Sequence, residues 1–126
     1  MQPLVLVAVG GAIGSVLRYL TTVLAIRWLG ADFPWGTLAV NLVGSFLMGA
    51  VQQLAVEALV LSPAARLFLA TGLMGGLTTY SAFSYESARL MQTHAWWAAW
   101  LNIVVTTAGC IGLCMAGIAA ARYLTR

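Results

Sequence analysis

The chain has 126 residues, 62% of them hydrophobic and only 7% charged. A water-soluble domain needs about 25% charged residues to cover its surface, so this composition excludes one and indicates an integral membrane protein. Six arginines against three acids give a net charge of +3, too sparse for a nucleic-acid footprint, and no run of basic residues forms a lipid-binding patch.

Four apolar segments are predicted. The first runs from about Leu4 to Leu29 and stops at Gly30, Ala31 and Asp32. Its start, Met1-Gln2-Pro3, lacks the positive region of a cleaved signal peptide, so it is expected to be a retained membrane helix. The second opens with Asp32 as N-cap and Pro34 in the first turn, where a missing N–H costs nothing, and reaches about Val56. The third repeats that device at Ser62-Pro63 and ends near Gln92. The fourth runs from about Thr93 to about Leu124. Each exceeds the roughly 20 residues that span a bilayer. The predicted architecture is all-α: one transmembrane domain of residues 1–126, with four crossings and both termini on one side.

The third segment contains Gly72-Leu73-Met74-Gly75-Gly76-Leu77-Thr78-Thr79-Tyr80-Ser81-Ala82-Phe83, an unusual composition for a helix interior. Gly75 and Gly76 each cost about 1 kcal/mol relative to Ala, and the hydroxyls of Thr78 and Thr79 offer the backbone competing hydrogen bonds. Two readings stay open. Residues 75–79 form a break, which survives in a membrane only inside protein or beside a watery cavity. Alternatively Gly72 and Gly76 are a small-residue pair that lets helices pack closely, as Gly10 and Gly14 are on the first helix.

The side holding the termini carries Arg66, Arg122 and Arg126, and the opposite side carries Arg27 and Arg89. Lys/Arg asymmetry sets orientation, and so balanced a chain is expected to insert both ways round. The five tryptophans, Trp28, Trp35, Trp96, Trp97 and Trp100, all lie toward the opposite side. An antiparallel pair of protomers restores an aromatic belt at both interfaces. A homodimer with dual topology is therefore expected.

Polar residues gather at one depth. At about 1.5 Å per residue, Asn41 and Asn102 lie roughly 10 Å, Phe83 roughly 13 Å and Arg18 roughly 16 Å from the side opposite the termini. Around them run stripes at helical spacing: Thr37, Asn41 and Ser45; Asn102, Thr106 and Cys110; Ser81, Ser84 and Ser87. Such groups either glue helices together or line a polar path. Asn41 has two amide donors to satisfy and is placed on a path. Arg18 is expected to pair with Glu86, to attract an anion, or to do both. Phe83 and Tyr80 can turn electron-poor ring edges toward an anion, although packing is the commoner fate of a membrane Phe. Cys110 and Cys114 share one helix face and are not placed to bridge, and the lone His94 completes no metal site. With no nucleophile–base pair, an enzyme is not expected.

Gly75 to Ser84, together with Asn41-Leu42-Val43-Gly44 and Gly14-Ser15-Val16-Leu17-Arg18-Tyr19, resemble the Fluc (CrcB) fluoride channel family over the whole chain. The resemblance implies a multi-pass protein of the bacterial inner membrane, an antiparallel dual-topology homodimer with two fluoride pores. It implies Phe83 and position 80 as pore aromatics and Asn41 as a fluoride ligand, and Arg18 and Glu86 match charged positions of the family; Thr37, Ser81, Ser84, Asn102 and Thr106 are expected on the path from the polar stripes. It further implies a structural Na+ at the dimer centre, held by the backbone carbonyls of Gly75 and Thr78. The sequence departs from the family at Tyr80, where Phe is usual, and at Ala82, often a hydroxyl residue. The alternatives are a small dual-topology multidrug or cation transporter, which needs a carboxylate in the first helix where this chain has Arg18, and a structural membrane subunit.

Overall fold

The computed structural model describes residues 1–126 and is helical throughout, without strands. Helix α1 (Gln2–Leu29) has a proline in its first turn and ends at Gly30 in the left-handed region, with φ of 85°, whose N–H bonds the Ile26 carbonyl. Helix α2 (Trp35–Gln52) continues through wide π-type turns over Gln53–Glu57. Helix α3 covers residues 63–77, with π-type turns over Leu67–Met74. Helix α4 (Tyr80–Gln92) and helix α5 (Trp96–Leu124) complete the chain.

The two expected N-caps fare differently. Ser62 caps α3, its Oγ accepting from Ala65 N–H at 3.1 Å with Pro63 directly behind it. Asp32 caps nothing. The Trp35 N–H bonds the Phe33 carbonyl at 2.9 Å, and that tight turn delays α2 until Trp35, with Pro34 in the cap position. The Phe33 and Trp35 rings, 4.7 Å apart, pack over it.

The third crossing is broken, but later and more narrowly than the glycines imply. Gly75 is helical (φ −61°, ψ −37°), whereas Thr78 (φ −82°, ψ 152°) and Thr79 (φ −152°, ψ 114°) are extended. β-Branched residues tolerate extended backbone well, and the hydroxyls bond locally: Thr78 Oγ1 to the Met74 carbonyl at 2.8 Å, and Ala82 N–H to Thr79 Oγ1 at 3.2 Å. The glycines serve the other reading. A Cβ on Gly76 would run into the Gly11 carbonyl, and one on Gly10 would meet Leu73 N at 2.9 Å. Both readings of this stretch are correct, for different residues.

The break redirects the crossing. Its first half, α3, packs along α1, whereas α4 leaves α1 and packs on α5, with a lesser contact on α2. A second close seam joins α2 to α5, where Gly49 lies against the Cys114 carbonyl and Gly117 against the Phe46 carbonyl. Most of the apolar surface stays uncovered: only 11% of the most hydrophobic window of α1, and of α5, is buried. That surface requires a bilayer or further protein against it. The tryptophans named above are all exposed, as an interfacial belt requires.

Candidate permeation site

Asn41 organises the site. From α2 its Nδ2 donates to the Thr79 carbonyl at 3.1 Å, and its Oδ1 accepts from the Thr79 N–H at 2.8 Å. One side-chain amide thus satisfies both backbone groups of the most extended residue in the break. In hydrocarbon each of these groups costs several kcal/mol if left bare. Both Asn41 and Thr79 are buried, at 7% exposure. Gly44, one helical turn further along α2, leaves the space filled by the Thr78 methyl. Asn41-Leu42-Val43-Gly44 and Thr78-Thr79 therefore interlock as one unit.

Beside this latch lies a cavity of about 310 Å³, walled by α2, the break, α4 and α5. Asn41 and Ser45, Thr79, Phe83, and Thr106 with Cys110 line it, and Tyr80 stands at its edge. No charged residue does. Phe83 is 7% exposed and Tyr80 is 80% exposed; their rings meet edge to face at a centroid distance of 5.5 Å. The Tyr80 hydroxyl bonds no protein group, whereas the Tyr80 carbonyl accepts from Ser84 Oγ at 2.9 Å.

A second polar group lies deeper between the helices. Asn102, only 1% exposed, donates to Ser87 Oγ at 2.9 Å and accepts from Thr106 Oγ1 at 3.3 Å. Next to Ser87 in sequence, Glu86 accepts from Thr37 Oγ1 at 2.8 Å. Thr37 and Glu86 line another cavity of about 360 Å³, which reaches Thr22, Asp32 and Arg89 near the loop between α1 and α2. Thr106 belongs to the first cavity and Glu86 to the second, so bonded or adjacent side chains run from one to the other.

The expected site residues therefore divide. Asn41, Tyr80, Phe83 and Thr106 meet at one cavity, Thr37 and Glu86 at the other, with Asn102 between them. Ser81 and Ser84 are exposed; Ser81 Oγ lies 3.2 Å from Thr79 Oγ1. Arg18 lines neither cavity, and the Arg18–Glu86 pair is not formed: one oxygen of Glu86 bonds Thr37 and the other has no partner. Helix α4 packs on α5 and only sparsely on α1, which carries Arg18. The sequence reading missed Thr79 as the residue Asn41 grips, and Thr107 and Ile111 as part of the cavity wall. The signal for Thr79 was present, as a threonine in N-cap position before the helical Tyr80.

Residues 5–118 match the family described as CrcB-like protein, Camphor Resistance (CrcB). The chain belongs to the CrcB family. Among its relatives, a protein of Sorangium cellulosum (strain So ce56) is 44% identical over 118 residues, covering 94% of this chain and 93% of its own. One of Anaeromyxobacter dehalogenans (strain 2CP-1 / ATCC BAA-258) is 44% identical over 124 residues, covering 98% of each. One of Agrobacterium fabrum (strain C58 / ATCC 33970) is 46% identical over 124 residues, covering 98% of this chain and 99% of its own. All three are named fluoride-specific ion channel FluC. Membership of the CrcB family, with several helices long and apolar enough to span a bilayer, makes this a multi-pass membrane protein.

Proposed function

We propose that the chain is a passive fluoride-selective channel exporting fluoride across the bacterial inner membrane. The observation that carries this reading is the uncharged cavity beside the Asn41–Thr79 latch, lined by an amide, hydroxyls and ring edges. Fluoride is small and strongly hydrated, so passage needs close donors that replace water without holding the ion. The Asn41 amide has two donors, and the Thr79 carbonyl takes one. The other is available to an anion. Phe83 and Tyr80 add ring edges, and a ring edge is the electron-poor part of an aromatic. Thr106, Asn102, Thr37 and Glu86 continue the path toward the second cavity, with Ser81 and Ser84 at the α4 surface and Arg18 as an outer attractor. At position 80 the Tyr hydroxyl adds a donor that retains fluoride longer than a Phe ring edge does.

Residues 1–126 act as one transmembrane domain, paired as an antiparallel, dual-topology homodimer with two pores. Sodium at the dimer centre fits the break. The Thr79 N–H is given to Asn41, which frees the Gly75 carbonyl from its helical donor, and no donor of this chain meets the Thr78 carbonyl. Gly75 is exposed, with no atom nearer its missing Cβ than 4.0 Å. Hard oxygen donors suit a hard cation. Sodium held by Gly75 and Thr78 of both protomers supplies the charge that carbonyls turned away from a helix require.

The test is ion efflux from liposomes containing the purified protein, fluoride against chloride. Fluoride is expected to leave and chloride to stay. Chloride leaving as fast as fluoride, or neither ion leaving, overturns the reading. For dual topology, Ala31→Cys with Cys110 and Cys114 replaced by alanine should react with an impermeant reagent from both faces of the cell membrane; labelling from one face contradicts it.

A further inference from the structure

The polar end of α2 anchors two arginines from distant parts of the chain. Arg66 Nε donates to Gln52 Oε1 at 2.9 Å, and Arg122 Nε donates to Gln53 Oε1 at 3.3 Å. A guanidinium has five N–H donors, so four remain on each, and no carboxylate is bonded to them. Of the three acids, Asp32 lies at the other end of the bundle, Glu86 is bonded to Thr37, and Glu57 is exposed. The charge of these arginines is left for something outside the protein to neutralise.

Arg66 opens onto a cavity of about 860 Å³ formed with Gln52, Ser62, Leu59, Val60 and Leu67, and no acid lines it. Ser62 Oγ accepts from Ala65 N–H, which leaves its own proton free to donate. The rim is apolar. Val60 and Leu61 N–H groups both bond the Leu54 carbonyl, at 2.9 and 3.3 Å, and this holds Leu59 in the left-handed region at φ 54°. Leu59 is 78% exposed and Val60 65%. Arg122 lines a separate hollow with Tyr123 and Arg126. All of these lie where α2 and α5 end and α3 begins, the level at which helices leave the hydrocarbon and lipid phosphates begin.

We infer that the Arg66 cavity binds the headgroup of an anionic phospholipid. The free guanidinium edge of Arg66 receives phosphate oxygens, with the Ser62 hydroxyl as a further donor. Leu59 and Val60 meet the upper acyl chain, and Arg122 contributes charge from the neighbouring helix end. Basic pockets between membrane helices bind lipid headgroups in this way. An apolar rim beside the basic floor favours a lipid over a free phosphate ion. The site is separate from the permeation cavity and stands whichever ion crosses.

The test uses the full chain in detergent, following its thermal unfolding midpoint while short-chain phosphatidylglycerol, short-chain phosphatidylcholine or inorganic phosphate is titrated in. Phosphatidylglycerol is expected to raise the midpoint at lower concentration than phosphatidylcholine, and inorganic phosphate to leave it unchanged. One arginine near a lipid surface accounts for about a fivefold difference in affinity, so Arg66→Gln and Arg122→Gln should each shift the phosphatidylglycerol titration by about that factor. Arg27→Gln, at the opposite end, should not shift it. Equal stabilisation by the two lipids, an unshifted titration in Arg66→Gln, or the same stabilisation by inorganic phosphate alone overturns the inference.

Discussion

The two halves of the broken crossing are held by opposite means. Helix α3 lies on α1 through backbone contacts at Gly10, Gly14, Gly72 and Gly76, and the only side-chain hydrogen bonds it makes to another helix is that of Arg66 at its far end. Helix α4 carries Ser81, Ser84, Glu86 and Ser87, and is fixed by Thr37–Glu86 and Asn102–Ser87. The first half is close packing, in which dispersion acts only at contact distance. The second is a set of polar anchors, which leaves room for a cavity. Thr78 and Thr79 are the joint between the two, and Asn41 is the clamp on the joint.

The largest effect is therefore expected at the clamp. Asn41→Leu leaves a buried N–H and a buried carbonyl at Thr79 without partners, at about 1–3 kcal/mol each. Unfolding in a denaturant titration should move by that sum, and fluoride flux should be lost with it. A variant as stable as the parent would show that the break does not depend on Asn41.

Next comes the packed half. Gly76→Val puts a side chain into the Gly11 backbone, where no flexible group can yield. Overpacking costs about 1–3 kcal/mol, expected as a lowered thermal midpoint. Gly75→Ala, one residue away on an open surface, should leave the isolated protomer's packing intact. Equal loss of midpoint in the two variants would mean that the seam with α1 is not what the glycines serve.

In the polar half the losses are smaller and local. Asn102→Ala removes two hydrogen bonds but leaves behind hydroxyls rather than backbone groups, at about 1–2 kcal/mol. Hydrogen exchange should quicken in α4 and adjoining α5 more than in α3. Uniform exchange across all helices would contradict the division into two halves. Smallest in stability is Tyr80→Phe, because the hydroxyl bonds no protein group. Fluoride flux is expected to rise while assembly and fluoride-over-chloride selectivity hold; equal or lower flux would remove position 80 from the rate-limiting step.

This division explains what the sequence made legible. Apolar runs between polar loops mark the crossings, and Ser62-Pro63 caps its helix as its side-chain chemistry requires, whereas Asp32 does not. A break in the third crossing was visible, but glycine cost pointed to Gly75, three residues before the first extended residue, Thr78. Helix cost is a local quantity. What decides the position is a partner able to satisfy the freed backbone, and Asn41 lies 38 residues away. The Arg18–Glu86 pairing failed for a related reason: depth along a helix says nothing of which neighbour a helix packs on, and α4 packs on α5 rather than α1. The sequence put Arg66 and Arg122 on one side of the membrane but not on Gln52 and Gln53, because only the packing of α3 and α5 against the end of α2 brings them there.

The central claim is that the cavity beside the clamp is the path fluoride takes, and a native thiol in its wall tests this with little disturbance. Cys110 lines the cavity and Cys114 does not. Methyl methanethiosulfonate should modify Cys110 in a Cys114→Ala protein, to an extent read by mass, before fluoride efflux is measured from liposomes. A methylthio group in the cavity wall narrows the passage, and each ~1.4 kcal/mol added to the barrier slows transit about tenfold, so flux is expected to fall by about that factor, with no change in the Cys110→Ala protein treated alike. Complete modification of Cys110 with fluoride efflux unchanged would contradict the account.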